Sequence, residues 1–131
     1  MKLATYRRLS KLLKAGKLKN LERELAPFLV ENDPDARFLN VHFSTTLSGE
    51  ETDARLVSEL HKLSAELHPP SLRELAWRYR HGDDVPKDYA KFKDLLATAA
   101  ILGNETAKRD LAVVLEIDLD YSGLAMRFPE H

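Results

Sequence analysis

Cysteine is absent from this 131-residue chain, which excludes disulfide bonds, thiolate metal sites and cysteine nucleophiles. Long apolar runs are absent too, since none approaches the roughly 18 residues that a membrane-spanning helix needs. The chain instead has 44% hydrophobic and 31% charged residues, with a formal net charge of -1. This composition is typical of one ordered globular domain rather than of a disordered or membrane-embedded chain.

Motifs that carry catalysis are also lacking. The sequence has no glycine-rich phosphate loop, no serine elbow and no carboxylate pair in an apolar setting. Its histidines include no pair at the four-residue spacing that puts two metal ligands on one helical face. His61 and His68 lie seven residues apart, and residues 81–84 resemble a metal site in composition only. We therefore expect no enzymatic activity, no catalytic residue, no metal and no cofactor.

A period of 36 residues runs along the chain. Leucines mark it, and three further columns keep the same register: the residue after each leucine, the residue four positions later and an arginine two positions earlier. The columns are Leu3, Leu39, Leu75 and Leu111; Asn40, Ala76 and Ala112; Phe43, Tyr79 and Leu115; and Arg37, Arg73 and Arg109. A repeat of this length is one helical hairpin that buries its apolar face by stacking on its neighbours. The period therefore predicts an all-α fold, an α-solenoid of stacked antiparallel helix hairpins.

Seven helices are predicted from the apolar periodicity and from the residues that interrupt it. We place them at about residues 2–15, 18–31, 35–47, 53–67 and 71–80, from the Asp88 cap towards Gly103, and at about 105–117. Ser71 with Glu74 predicts a capping box for the fifth helix. Gly82 is expected in the left-handed conformation that ends that helix. A short tail with Leu124, Met126 and Phe128 is expected to cover the open apolar end of the stack.

One stretch carries a family resemblance. Its marks are Leu75-Ala76, Tyr79, Gly82, Val85-Pro86-Lys87-Asp88-Tyr89, Lys91, Leu95, Ala99-Ala100 and Gly103. Residues 71–103 resemble the Sel-one-like repeat, a relative of the tetratricopeptide repeat. The resemblance implies a right-handed solenoid of three to four repeats, whose concave face binds other proteins without catalysis. The chain would then be one repeat domain over residues 1–131, divided into a degenerate hairpin at 1–32, a repeat at 35–68, the best repeat at 71–103 and a partial repeat with a C-terminal cap at 105–131.

The candidate partner-binding site follows from the first helix of each hairpin, which usually lines the concave face. Trp77, the only tryptophan, shares a stripe with Arg73 and Arg80, and this composition is typical of interface hot spots. The candidate binding residues are Arg37, Val41, Arg73, Trp77, Arg80 and Arg109. Two alternatives stay open. Trp77 could pack against an adjacent helix, and the arginines could form surface ion pairs, each contributing about 0–1 kcal/mol, with Glu59, Glu66 or Asp94.

The N-terminal segment is strongly basic. Its first 23 residues contain only Glu22 among acids, against Lys2, Arg7, Arg8, Lys11, Lys14, Lys17, Lys19 and Arg23. An organelle transit peptide or a surface for acidic partners would have this charge pattern. The leucines there continue the hairpin pattern with Gly16 as the break, which favours a degenerate first repeat with a solvated basic face. The segment lacks the apolar core and cleavage site of a secretory signal, so we expect a cytoplasmic protein.

Three functions are compatible with these patterns. The first is a small cytoplasmic inhibitor that sequesters one partner protein, such as a bacterial immunity protein against a cognate toxin. The second is an adaptor or scaffold of a signalling or envelope-assembly complex. The third is a nucleic-acid-binding protein that uses the basic N-terminal helix, although the sequence lacks the aromatic interleaving that would support it.

Overall fold

The computed structural model describes the backbone of residues 1–122 and the side chains of residues 1–118. These residues form seven α-helices and no strand, which confirms the prediction of an all-helical fold. The helices are α1 (Leu3–Lys14), α2 (Leu18–Val30), α3 (Pro34–Asn40), α4 (Gly49–Ala65), α5 (Pro69–His81), α6 (Tyr89–Ile101) and α7 (Glu105–Ser122). Within this described part of the chain, no helix combines the length and the apolar character needed to cross a membrane.

The first three helices enclose one apolar cluster, because leucines spaced three or four residues apart give each helix one apolar face. Leu9, Leu21 and Leu25 have no exposed surface. Complete burial of such a side chain contributes roughly 1.5–3 kcal/mol. We call this cluster the N-terminal core, and it consists of Leu9, Leu21, Leu25, Ala36, Leu39 and Phe43.

A second, larger cluster lies among the later helices, which pack in chain order, α4 on α5, α5 on α6 and α6 on α7. Phe92, at its centre, has no exposed surface. We call this cluster the C-terminal core, and it consists of Val41, Leu56, Leu60, Leu72, Leu75, Ala76, Tyr79, Phe92, Leu96, Ala99, Ala100, Ala107 and Val114. Phe38 of α3 packs against both cores and so lies at the junction between them.

The 36-residue columns are well buried only in the middle of the chain. Leu39 and Leu75 are each 2% exposed, whereas Leu3 is 61% exposed. Leu115 is 50% exposed, although Tyr79, in the same column, is buried. The leucines of these columns on α1 and α7 are therefore more exposed than the residues of the same columns in the middle of the chain.

Several predicted helix ends are confirmed. Gly82 has φ 73° and ends α5, and the amides of Gly82 and Asp83 both donate to the carbonyl of Arg78. The Asp88 carboxylate accepts a hydrogen bond from the Lys91 amide and so caps α6. Gly16, predicted as the break between the first two helices, has φ 72°. These positions are fixed by local chemistry, namely glycine's tolerance of positive φ and the hydrogen bond of a short acidic side chain to the first helical turn.

The predicted boundary between the third and fourth helices is wrong. Helix α3 ends at Asn40, not at residue 47, because the Arg55 guanidinium binds the carbonyl oxygens of Asn40 and Phe43 at 3.0 and 2.5 Å. Those carbonyls are thereby taken out of a helical ladder by a side chain of α4. Helix α4 then begins earlier than predicted, at Gly49, where the Ser48 hydroxyl accepts from the Glu51 amide.

The predicted capping box at Ser71 is also wrong. Helix α5 begins at Pro69, since proline suits a first helical turn, and Ser71 therefore lies inside the helix. Its hydroxyl contacts Nδ1 of His68 at 2.7 Å. Helix α7 continues to Ser122, beyond the predicted limit at residue 117. The expected tail with Leu124, Met126 and Phe128 lies outside the described residues.

Candidate partner-binding groove

The odd-numbered helices line a groove near the junction of the two cores. It consists of two adjoining depressions of about 680 and 600 Å³. Both are lined by Tyr6 of α1, Phe38 of α3, Arg73 and Glu74 of α5, and Thr106 of α7. We call the two depressions together the central groove. It collects side chains from helices that are about 100 residues apart in the sequence.

One wall of the central groove is basic. Arg7, Lys11 and Lys14 line it from α1, where spacings of four and three residues place them on one helical face. All three are exposed, and none forms an ion pair with another described residue. By contrast, Arg8 on a neighbouring face of α1 is paired with Glu24 at 2.7 Å. The groove wall therefore carries positive charge that the described part of the chain does not neutralise.

A histidine and a carboxylate, His42 and Glu74, also line the groove. Nε2 of His42 lies 2.6 Å from Oε1 of Glu74, and its Nδ1 lies 2.6 Å from the carbonyl oxygen of Phe38. Both neighbours are acceptors, so both are satisfied when the ring is doubly protonated. The second oxygen of Glu74 lies 3.8 Å from Nε of Arg78. The carboxylate is thus compensated from two sides, and it does not cancel the charge of the α1 wall.

The pKa of His42 is raised above its ordinary value. Burial of the ring is the largest single influence and lowers the pKa. The hydrogen bond and the charge of Glu74, together with the Phe38 carbonyl, outweigh that effect. Burial raises the pKa of Tyr6, which lines the same groove, because its charged form is the deprotonated one. Folding therefore favours the protonated form of His42 relative to the unfolded chain.

At the other end of the groove, Arg73 and Trp77 are held by one carboxylate. Oδ2 of Asp110 accepts from Nε of Arg73 at 2.7 Å and from Nε1 of Trp77 at 3.1 Å. The Trp77 ring also packs on Phe92, with 4.9 Å between centroids, and stacks on His81 at 5.9 Å. Trp77 therefore packs between helices, which is one of the two alternatives left open by the sequence, and it also lines the groove.

The remaining predicted site residues do not line the groove with Arg73 and Trp77. Arg37 pairs with Glu59 at 2.7 Å and with Glu66 at 2.8 Å. These are two of the ion pairs that were the alternative to partner binding for the arginine column. Val41 is 4% exposed and belongs to the C-terminal core. The Arg80 guanidinium lies over the Tyr89 ring, 5.3 Å from its centroid, and Arg109 is exposed outside the groove lining. A common sequence register therefore does not give these side chains a common surface.

A buried hydrogen-bonded chain of serine, histidine and aspartate lies behind the groove. The Ser71 hydroxyl is 2.7 Å from Nδ1 of His68, and Nε2 of His68 is 2.7 Å from Oδ1 of Asp35. In a serine-hydrolase triad the serine instead faces Nε2 and the aspartate faces Nδ1. Ser71 has no exposed surface and His68 is 7% exposed, so this hydroxyl does not face a substrate. The three residues instead tie α3 to the start of α5.

Four residues that line the groove were not predicted as site residues from the sequence: Tyr6, Phe38, His42 and Glu74. They lie on three different segments, and no local spacing relates them. The sequence predicts a solvated basic face on α1, and three of its exposed cations also line the groove. Among the described residues, no cluster of histidine, aspartate and glutamate has the geometry to hold a metal ion.

Comparisons with protein-family models, with curated proteins and with solved structures gave no match to this chain.

Proposed function

We propose that this chain is a non-enzymatic, cytoplasmic protein-binding module that uses the central groove to sequester one partner protein. The most concrete form is a small inhibitor such as a bacterial immunity protein against a cognate toxin. The observation that carries the proposal is the groove itself. It combines the aromatic side chains of Tyr6, Phe38 and Trp77 with cations of α1 that have no ion-pair partner in the described part of the chain. Aromatic residues and arginine are the types enriched at protein interfaces.

The fold proposed with this function is a right-handed α-solenoid of the kind that Sel-one-like repeats form. Contacts between helices of the same parity support it. The α1 helix packs on α3, the His42 to Glu74 contact joins the turn after α3 to α5, and Arg73 binds Asp110 of α7. Side-chain contacts that link the first helices of successive hairpins, with a groove along them, are expected for the concave face of stacked hairpins.

The proposal is tested by measuring whether this chain forms a complex with the protein encoded by the adjacent gene. An inhibitor should bind that product one to one with nanomolar or tighter affinity, and its co-expression should rescue cells from the product's toxicity. Substituting Arg73→Glu should weaken the complex, because Arg73 lines both halves of the groove. Arg109→Glu is the matched control, since Arg109 has the same repeat register but does not line the groove.

Failure to rescue, together with the absence of a tight complex, would remove the inhibitor proposal. An adaptor or scaffold, the second candidate, would instead bind at least two proteins with weaker affinity through the same groove. Nucleic-acid binding, the third candidate, is favoured only by the exposed cations of α1. It predicts binding to an oligonucleotide that weakens steeply with salt, and lack of binding at low salt would exclude it.

A further inference from the structure

We infer that the central groove binds an acidic, extended segment of the partner. The carboxylates of this segment would contact the cations of α1, and its apolar side chains would contact aromatic residues of the groove. This inference rests on the proposed function and names the chemistry of the segment that is bound. It follows from the distribution of charge in the groove, from the position of the aromatic side chains and from the spacing of the cations.

The charge distribution singles out the α1 wall. The other charged groups of the groove are already paired within the chain, Arg73 with Asp110 and Glu74 with both His42 and Arg78. The three groove cations of α1 have no such partner among the described residues. Desolvating them against an apolar segment would be unfavourable, whereas a carboxylate supplies the opposite charge and accepts their hydrogen bonds. The wall therefore selects an acidic occupant.

The spacing indicates how the carboxylates are arranged. From Arg7 to Lys14 the helix rises roughly 10 Å, at about 1.5 Å per residue. In an extended chain, alternate side chains point to one side and repeat at roughly 6.6 Å, so two or three acidic residues would span the three cations. The intervening side chains then point away from the cations, and Phe38 of α3 is an aromatic residue that lines the same depression. An alternation of acidic and apolar residues thus matches both walls of the groove.

A protein segment fits this groove better than a nucleic-acid strand. The chain as a whole has a net charge of -1, and three cations that have no ion-pair partner among the described residues face the groove. Nucleic-acid binding draws its affinity from many phosphate contacts, each made by a lysine or arginine. The aromatic side chains of the groove can contact nucleobases as well as the apolar side chains of a peptide. The preference for a protein segment therefore rests on the small number of cations and on the net charge.

The test is a titration of the full chain with three probes at 50 mM salt. Binding is monitored by two-dimensional amide NMR. The acidic probe is an acetylated and amidated decapeptide of five Glu-Val pairs, the neutral probe has five Gln-Val pairs, and the third is a 15-nucleotide oligothymidine. Blocking the peptide ends leaves side-chain carboxylates as the only acidic groups. We expect the acidic peptide to shift groove amides, those of Ser10, Phe38 and Glu74 in particular, and the neutral peptide to leave them unchanged.

Charge reversal supplies the matched control. Arg7→Glu with Lys14→Glu should weaken binding of the acidic peptide about tenfold, because two attractive surface contacts become repulsive. Lys19→Glu with Arg23→Glu makes the same change in net charge on exposed residues of α2 that do not line the groove. That variant should retain the affinity within about twofold, a smaller change than the tenfold loss expected for the groove variant.

Three results would overturn the inference: equal binding of the neutral peptide, an equal loss in both double variants, or tighter binding of the oligothymidine to the same amides. Its failure remains distinguishable from failure of the proposed function. If the adjacent-gene product binds the wild type and the Arg7→Glu, Lys14→Glu variant equally, the inhibitor function stands and the acidic-segment inference falls. If that product does not bind at all, the proposed function falls, and the peptide titration still decides what chemistry the groove accepts.

Discussion

Asp110 offers the sharpest test of how the groove is held together, because one carboxylate oxygen serves both Arg73 and Trp77. Substituting Asp110→Ala removes the acceptor of the indole N–H, a loss of about 1 kcal/mol for a typical hydrogen bond. It also removes the ion pair with Arg73, whose side chain is 36% exposed. Water screens a pair at that exposure, so we assign it about 0.5–1 kcal/mol. The expected total is a loss of about 1.5–2 kcal/mol in the free energy of unfolding.

The chain's single tryptophan makes the assay direct. Trp77 is the only indole, so urea unfolding followed by its fluorescence reports on the substituted contact and on global stability at once. Asp110→Asn separates the two effects, because its amide oxygen can still accept from the indole while the charge is lost. We expect this variant to lose only about 0.5–1 kcal/mol. Asp94→Ala, at an exposed carboxylate of α6, is the control and should change stability by less than about 0.5 kcal/mol.

Two outcomes would refute this account of the contact. If Asp110→Ala unfolds at the same urea concentration as the wild type, the carboxylate does not hold α7 against α5. If Asp110→Asn costs as much as Asp110→Ala, the hydrogen bond to Trp77 contributes nothing and only the charge matters.

Two further predictions concern pH and backbone conformation. Because the pKa of His42 is raised in the folded state, protonation of this ring stabilises the fold. The stabilisation is fully present below pH 6.5 and is lost as the pH rises through the raised pKa. Glu74→Gln should flatten this pH dependence of the free energy of unfolding, measured between pH 5 and 9. Gly82→Ala should cost at least about 1 kcal/mol, since φ is 73° and the added Cβ would meet the Lys87 Cβ at 3.3 Å. Gly49→Ala, in the first turn of α4 with nothing within 4 Å, should instead be neutral or stabilise by up to about 1 kcal/mol in thermal melts; equal losses at both glycines would contradict the conformational explanation.

The parts of the fold that the sequence predicted correctly are those decided within a few residues. Gly82 ends α5 because glycine accepts positive φ, and Asp88 starts α6 because its carboxylate reaches the amide three residues on. The end of α3 was mispredicted because Arg55, about 15 residues away, binds the carbonyls of Asn40 and Phe43. No local sequence pattern predicts a hydrogen bond between a side chain and backbone carbonyls so far apart in the sequence.

The candidate site was predictable only in part, for a related reason. The single tryptophan next to Arg73 was visible in the sequence, and both residues line the groove. The arginine register suggested one shared surface, yet Arg37 turns to Glu59 of α4, whereas Arg73 turns to Asp110 of α7. Where a long side chain lies depends on which carboxylate its neighbours present, and that is settled by tertiary packing.

The position of Phe38 between the two cores has a consequence for how the molecule opens. Each core is closed by its own set of helices, so α1 and α2 can separate locally without exposing Phe92. The central groove, however, draws its walls from both sides of Phe38. An occupant would therefore fasten one half of the chain to the other, and its binding energy would appear as slower amide hydrogen exchange in helices that it does not touch.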